Sequence, residues 1–187
     1  YYQKTTHYVM NEEILSPPTT RETGIRYGAV LGLISILYFV FLAMYRIDTT
    51  QGIGRWASVI FNVALLVLAH QYFKKSGDGY MSYGEGILIA FWMALVSSVL
   101  SSAFMAVYIE FIDTDFMEVM SDLQRQAMEE QDLSDEQIDQ AMKFMKKFQS
   151  PWILFSFGVV GGVVSQVLFG LIATIFTKKP NPNMPAA

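Results

Sequence analysis

Four long stretches of this chain carry almost no charge, and that pattern constrains the fold more than any other feature. Tyr27–Tyr45 contains no Asp, Glu, Lys or Arg. At a helical rise of about 1.5 Å per residue these positions reach about 28 Å, close to the hydrocarbon thickness of a bilayer. Gly86–Ile109 is uncharged between Glu85 and Glu110, and Phe148–Thr177 is uncharged throughout. Trp56–Phe73 is weaker, because it contains Asn62, His70 and Gln71. Pro151 suits the first turn of a helix, where its missing N–H is not needed, so the last helix is expected to open there. The fold class that follows is an all-α integral membrane protein, with four transmembrane helices over about 25–46, 54–73, 85–111 and 151–177.

A soluble fold does not accommodate these runs. Only 16% of the 187 residues are charged against 52% hydrophobic, too little polar surface to cover a water-exposed globule. Buried helices of large soluble proteins are apolar all round but usually shorter, and a chain of this size cannot enclose four of them. The first run is too long for the core of a signal peptide, and no small-residue cleavage pattern follows it before Arg46, so it is expected to stay. Cysteine is absent, which removes disulfides, thiolate metal sites and cysteine nucleophiles and leaves the compartment undecided.

Alternating spans place Lys4, Arg21, Arg26, Lys74, Lys75, Lys178 and Lys179 on one side. Arg46, Arg55, Arg125, Lys143, Lys146 and Lys147 fall on the other. The balance is nearly even until the long connection between the third and fourth spans is discounted, which leaves the first side richer in basic residues. Both termini and the Lys74–Gly84 loop are then expected in the cytoplasm. Residues 1–23 carry Pro17, Pro18, Thr19 and Thr20 and no apolar period, and read as a flexible tail with Met10 as a plausible native start. Residues 180–187 read as a second flexible tail, and the membrane domain is bounded at 24–179.

The connection over 114–149 is expected to form a two-helix amphipathic insertion. Phe116, Val119, Met120, Leu123 and Ala127 recur at helical spacing, with Asp115 as a possible N-cap, predicting a helix to about Glu130. Ser134 followed by Gln137 has capping-box spacing, with Leu133 and Ile138 placed as a hydrophobic staple. A second helix is predicted from Asp135 to about Phe148, with Ile138, Ala141, Met142, Met145 and Phe148 on its apolar face.

Small residues mark where helices approach. Gly24, Gly28 and Gly32 recur every four positions in the first span, and Gly158 and Gly162 do so in the fourth. Gly86, Ala90, Ala94, Ser98, Ser102 and Ala106 do so in the third. Each four-residue step drifts about 40°, so this stripe is expected to wind past what one straight partner covers, making the third helix central. Polar residues within spans are the default functional candidates: Asn62, His70, Glu85 and Gln166, with Ser97, Ser98, Ser101, Ser102 and Ser165 beside them. Each also has an ordinary role. Serines bond back to the carbonyl one turn earlier, Glu85 meets a helix N-terminus, His70 sits at the interface near Lys74, and Asn62 and Gln166 bond between helices.

No G-x-S-x-G, H-E-x-x-H, phosphate loop or calcium loop is present, so no catalytic residue, cofactor or metal ligand is assigned and no enzyme is expected. The order of features resembles the uncharacterised bacterial membrane family catalogued as domain of unknown function 4199. The resemblance rests on Arg26-Tyr27-Gly28, Tyr72-Phe73-Lys74-Lys75, Gly79-Tyr80-Met81-Ser82-Tyr83-Gly84-Glu85, an acidic segment and Ser150-Pro151, within about Glu22 to Lys179. It implies a multi-pass protein of the bacterial inner membrane and supplies no functional residues. The leading expectation is a non-enzymatic subunit, assembly factor or regulator of a membrane complex, the alternative a small oligomeric transporter or channel. The expected partners are the lipid bilayer and another membrane protein or a second copy, not nucleic acid.

Overall fold

The computed structural model describes residues 17–45 and 53–183. Most of the N-terminal tail, including Met10, and Arg46 lie outside the described residues, as does the side chain of Arg55. Six helices follow in order: α1 (Thr20–Met44), α2 (Ile53–Ser76), α3 (Tyr83–Val107), α4 (Phe116–Glu129), α5 (Asp135–Lys146) and α6 (Pro151–Thr177). There is no β-strand among the described residues, only an isolated antiparallel bridge between Met81 and Lys179. One π-helical turn, Tyr108–Ile112, prolongs α3. The helices α1, α2, α6, and α3 with this turn are long and apolar enough to cross a membrane.

Local chemistry sets the helix ends. The first helix opens at Thr20, earlier than expected, so Thr20–Thr23 are helix rather than tail. Thr19 Oγ1 accepts the Glu22 N–H at 3.1 Å while the Glu22 carboxylate accepts the Thr19 N–H at 2.9 Å, a capping box that satisfies two donors at once. The second helix continues past Phe73 to Ser76, with Lys74 and Lys75 in its last turn, where positive charge suits the carbonyl end. The Ser134–Gln137 box forms as expected, with bonds of 3.0 and 3.4 Å, and α5 stops at Lys146 rather than Phe148. Asp115 does not cap α4. Its backbone, at φ −88° and ψ −6°, lacks the extended geometry that turns a side chain back onto the first turn, and its carboxylate makes no capping bond.

The third helix is central, packed along α1 on one side and α6 on the other, while α2 leans on α1 and α6 and meets α3 less. Two neighbours meet α3, as expected, but α6 alone follows the row from Gly86 to Ser102: a Cβ added at Gly86 would meet Thr174, and one at Gly170 would meet Ala90. Farther along, Cβ atoms at Gly162 and Gly158 would meet Ser98 and Ser102. A row of residues four apart runs obliquely around a helix, and a partner inclined with it stays in register. The neighbouring face receives α1, where Cβ atoms at Gly24, Gly28 and Gly32 would meet Trp92, Met93 and Leu100. Ala94 is fully buried in the same helix.

The core gathers Leu31, Leu66, Ala69, Met81, Ile89, Ala90 and Met93. At the opposite end of the bundle the rings of Phe39, Phe104, Tyr108 and Phe116 stack, with centroid separations of 5.1 to 6.3 Å. That cluster ties α1 and the end of α3 to the start of α4.

Candidate functional site

The most highly connected polar group inside the spans is His70. It has no exposed surface. Its Nε2 lies 3.1 Å from the Gly86 carbonyl oxygen of α3 and its Nδ1 lies 2.8 Å from Thr177 Oγ1 of α6. A carbonyl only accepts, so Nε2 carries a proton and donates to it. One turn on, Lys74 Nζ donates to the Thr177 carbonyl at 2.7 Å. His70 and Lys74 share a face of α2, so one helix side joins both neighbours. His70 stands one turn from Lys74 near the end of α2, and its ring turns inward between α3 and α6. Gly86 lets α6 approach α3 beside it, since a side chain there would strike Thr174.

The loop from α2 to α3 and the chain leaving α6 close over this junction. Met81 donates its N–H to the Lys179 carbonyl at 2.8 Å, and Lys179 returns the bond at 2.9 Å. The Lys178 and Lys179 ammonium groups stand 5.7 and 5.0 Å from the rings of Tyr83 and Tyr80, close enough for cation–π attraction. The Tyr83 hydroxyl donates to the Leu171 carbonyl at 3.1 Å. Glu85 stands where expected, at the N-terminus of α3. It accepts the Ser82 N–H at 2.7 Å, in a third capping box whose Ser-x-x-Glu spacing was readable in the sequence. On the same end, Arg26 donates to the Tyr72 hydroxyl at 3.0 Å and Arg21 lies over Trp92.

Nearer the middle of the spans the other candidates separate. Gln166 is buried with neither side-chain polar atom partnered, and Asn62 Oδ1 is buried without a partner. Asn62 also lines a half-open cavity of about 180 Å³ with Ser35, Tyr38, Ser58 and apolar residues of α1, α2 and α6. The interhelical hydrogen bonds expected of Asn62 Oδ1 and Gln166 are therefore not made. Neither residue contacts the His70 junction through a hydrogen bond, so the four polar candidates do not form one site. Ser97, Ser98 and Ser101 bond back to carbonyls of their own helix at 2.8 to 3.3 Å, which satisfies them without a partner helix. Ser165 is exposed.

Sequence reasoning missed Thr174, Thr177 and Tyr83 as parts of the junction. The signal was present only in combination: Thr174 and Thr177 are three apart on α6, hence on one face, but nothing in the sequence pairs that face with His70.

No curated protein and no solved structure matches the chain. The family model described as protein of unknown function (DUF4199) matches residues 26–179, from the arginine on Tyr72 to the lysine bridged to Met81. The chain belongs to that family.

Proposed function

We propose that this protein is a non-enzymatic subunit, assembly factor or regulator of a larger complex in the bacterial inner membrane. In this reading both termini are cytoplasmic and the α4–α5 segment is an amphipathic insertion on the outer face. The observation that carries the reading is the construction of that segment. Two helices fold against each other, burying Ile138 and linking Arg125 to Asp139 at 3.2 Å. Ring contacts join them to the spans at both ends, Phe116 on Phe39 and Tyr108, and Phe148 on Phe157. Two neighbouring antiparallel spans need only a short turn between them, yet residues 114–149 stand in its place. Such an element offers a partner a folded surface outside the hydrocarbon region.

The test replaces Met117–Phe148 with a flexible linker in the full chain and isolates it from its native membrane in mild detergent. Folded, inserted protein that has lost a stoichiometric partner supports the reading. Retention of every partner sinks it.

A second reading, a small oligomeric transporter or channel, draws on the unpartnered Asn62 Oδ1 in its cavity between α1 and α2. It requires that cavity to conduct, so Asn62→Leu would abolish a flux measured in vesicles.

A further inference from the structure

Two of the motifs that carried the resemblance, the Lys74-Lys75 end of α2 and the Gly79–Glu85 lead into α3, have no part in the α4–α5 surface. They meet instead at the opposite end of the bundle. There Gln71, Lys74, Lys75, Gly79 and Lys179 line an open depression of about 360 Å³. Three of its five lining residues are lysines, and none is acidic.

Two of those lysines are held in place by the protein itself. Lys74 spends one of its three N–H donors on the Thr177 carbonyl and keeps two. Lys179 is fixed through its main chain by the paired bonds to Met81 and through its ammonium by the Tyr80 ring. Little side-chain freedom is left for a ligand to remove, which is the condition under which a charged site binds well. Lys75 is exposed at the rim, where it is free to close over a bound group. The nearest carboxylate along the loop, Asp78, accepts the Tyr80 N–H at 2.9 Å.

The carbonyl ends of α2 and α6 meet here: Lys74 serves that of α6 through the Thr177 carbonyl, and Lys75 stands in the last turn of α2. Depth narrows the ligand further: Tyr72, Tyr80 and Tyr83 ring the same end of the spans, at the level where aromatic residues meet lipid headgroups.

We propose that this depression binds a phosphate group, carried by an anionic phospholipid headgroup or by a soluble phosphate. Lys74, Lys75 and Lys179 provide the charge, and the Gln71 amide adds a donor. The site stands apart from the α4–α5 segment, and its test does not depend on any partner found there.

The experiment uses the full chain purified in a neutral detergent. Native mass spectrometry reads retention of added phosphatidylglycerol against phosphatidylcholine, and a melting assay reads protection by inorganic phosphate against chloride at equal ionic strength. The expected result is preferential retention of phosphatidylglycerol, weakened about tenfold in Lys75→Gln/Lys179→Gln. The same loss is not expected in Lys143→Gln/Lys147→Gln at the other end. Phosphate protection of the native chain, lost in the Lys75/Lys179 variant, assigns the site to a soluble phosphate. The single variant Lys75→Gln, which changes an exposed side chain only, guards against misfolding of the double one and is expected to show part of the loss. Equal retention by the native chain and both double variants, with no phosphate protection, overturns the proposal. So does an equal loss in the Lys143/Lys147 control.

Discussion

Replacing Gly28 with alanine tests the helix packing where the structure leaves least room. A Cβ at this position would lie 2.6 Å from the Met93 carbonyl oxygen, 3.0 Å from Met93 Cα and 3.0 Å from Val96 Cβ. Two of these atoms are backbone of α3, which cannot swing aside as a side chain does. The helices must separate along their contact, and overpacking of this kind costs about 1–3 kcal/mol. Alanine recovers about 1 kcal/mol of that through its better helix propensity, leaving a net loss of about 0–2 kcal/mol. Gly161 on α6 is the internal control, because a Cβ there meets nothing within 4 Å. Gly161→Ala therefore carries the propensity gain without the clash, and the two variants should differ by the clash alone, about 1–3 kcal/mol. Unfolding in mixed micelles, titrated with a denaturing detergent and followed by circular dichroism, measures the difference. If Gly28→Ala is as stable as Gly161→Ala, α1 does not approach α3 through this glycine and the packing described above is wrong.

His70→Leu removes the only described side-chain hydrogen bonds from α2 to the Gly86 carbonyl and the Thr177 hydroxyl, although Thr177 Oγ1 keeps its bond to the Ala173 carbonyl at 2.9 Å. Loss of the two bonds is expected to destabilise the bundle by about 1–3 kcal/mol in the same titration. Asn62→Leu, which removes an oxygen that has no partner, is expected to be neutral or stabilising; a loss equal to that of His70→Leu would show that Asn62 has a partner after all. For topology, a cysteine at Gly77 is expected to be shielded from an impermeant thiol reagent in intact cells, while one at Gln131 is labelled. The reverse pattern would invert the proposed orientation.

The spans were legible because lipid demands long uncharged runs, and that demand is written residue by residue. The end of α6 fell at Thr177 as read, since charge resumes at Lys178. Ends governed by capping were legible only where the spacing was recognised. Ser134–Gln137 was read; Thr19–Glu22 has the same spacing and was passed over as tail because prolines precede it. Asp115 shows the reverse failure, a residue of the right type in the wrong backbone geometry. Burial of Ser98 and Ala94 followed from their spacing, but which helix covered them did not, because spacing along one helix carries no information about the inclination of its partner.

The site was harder to read for a different reason. Its groups come from three spans and from the two segments leaving them, so no window of sequence contains it. His70, Gly86 and Thr177 are each unremarkable alone: a histidine near a span end, a small residue in a helix, a threonine before two lysines. They become one junction only when α2, α3 and α6 bring the same ends together. Several of the scattered motifs that carried the family resemblance converge on that place as well. Tyr72-Phe73-Lys74-Lys75 ends α2 there, Gly79–Glu85 crosses it, and Lys179 is bridged to Met81 within that crossing. The match to the family model ends at the same lysine. These motifs of the chain therefore describe one built corner of the bundle, held by hydrogen bonds and cation–π contacts, with a basic rim, while the acidic segment and Ser150-Pro151 lie toward the other end of α6.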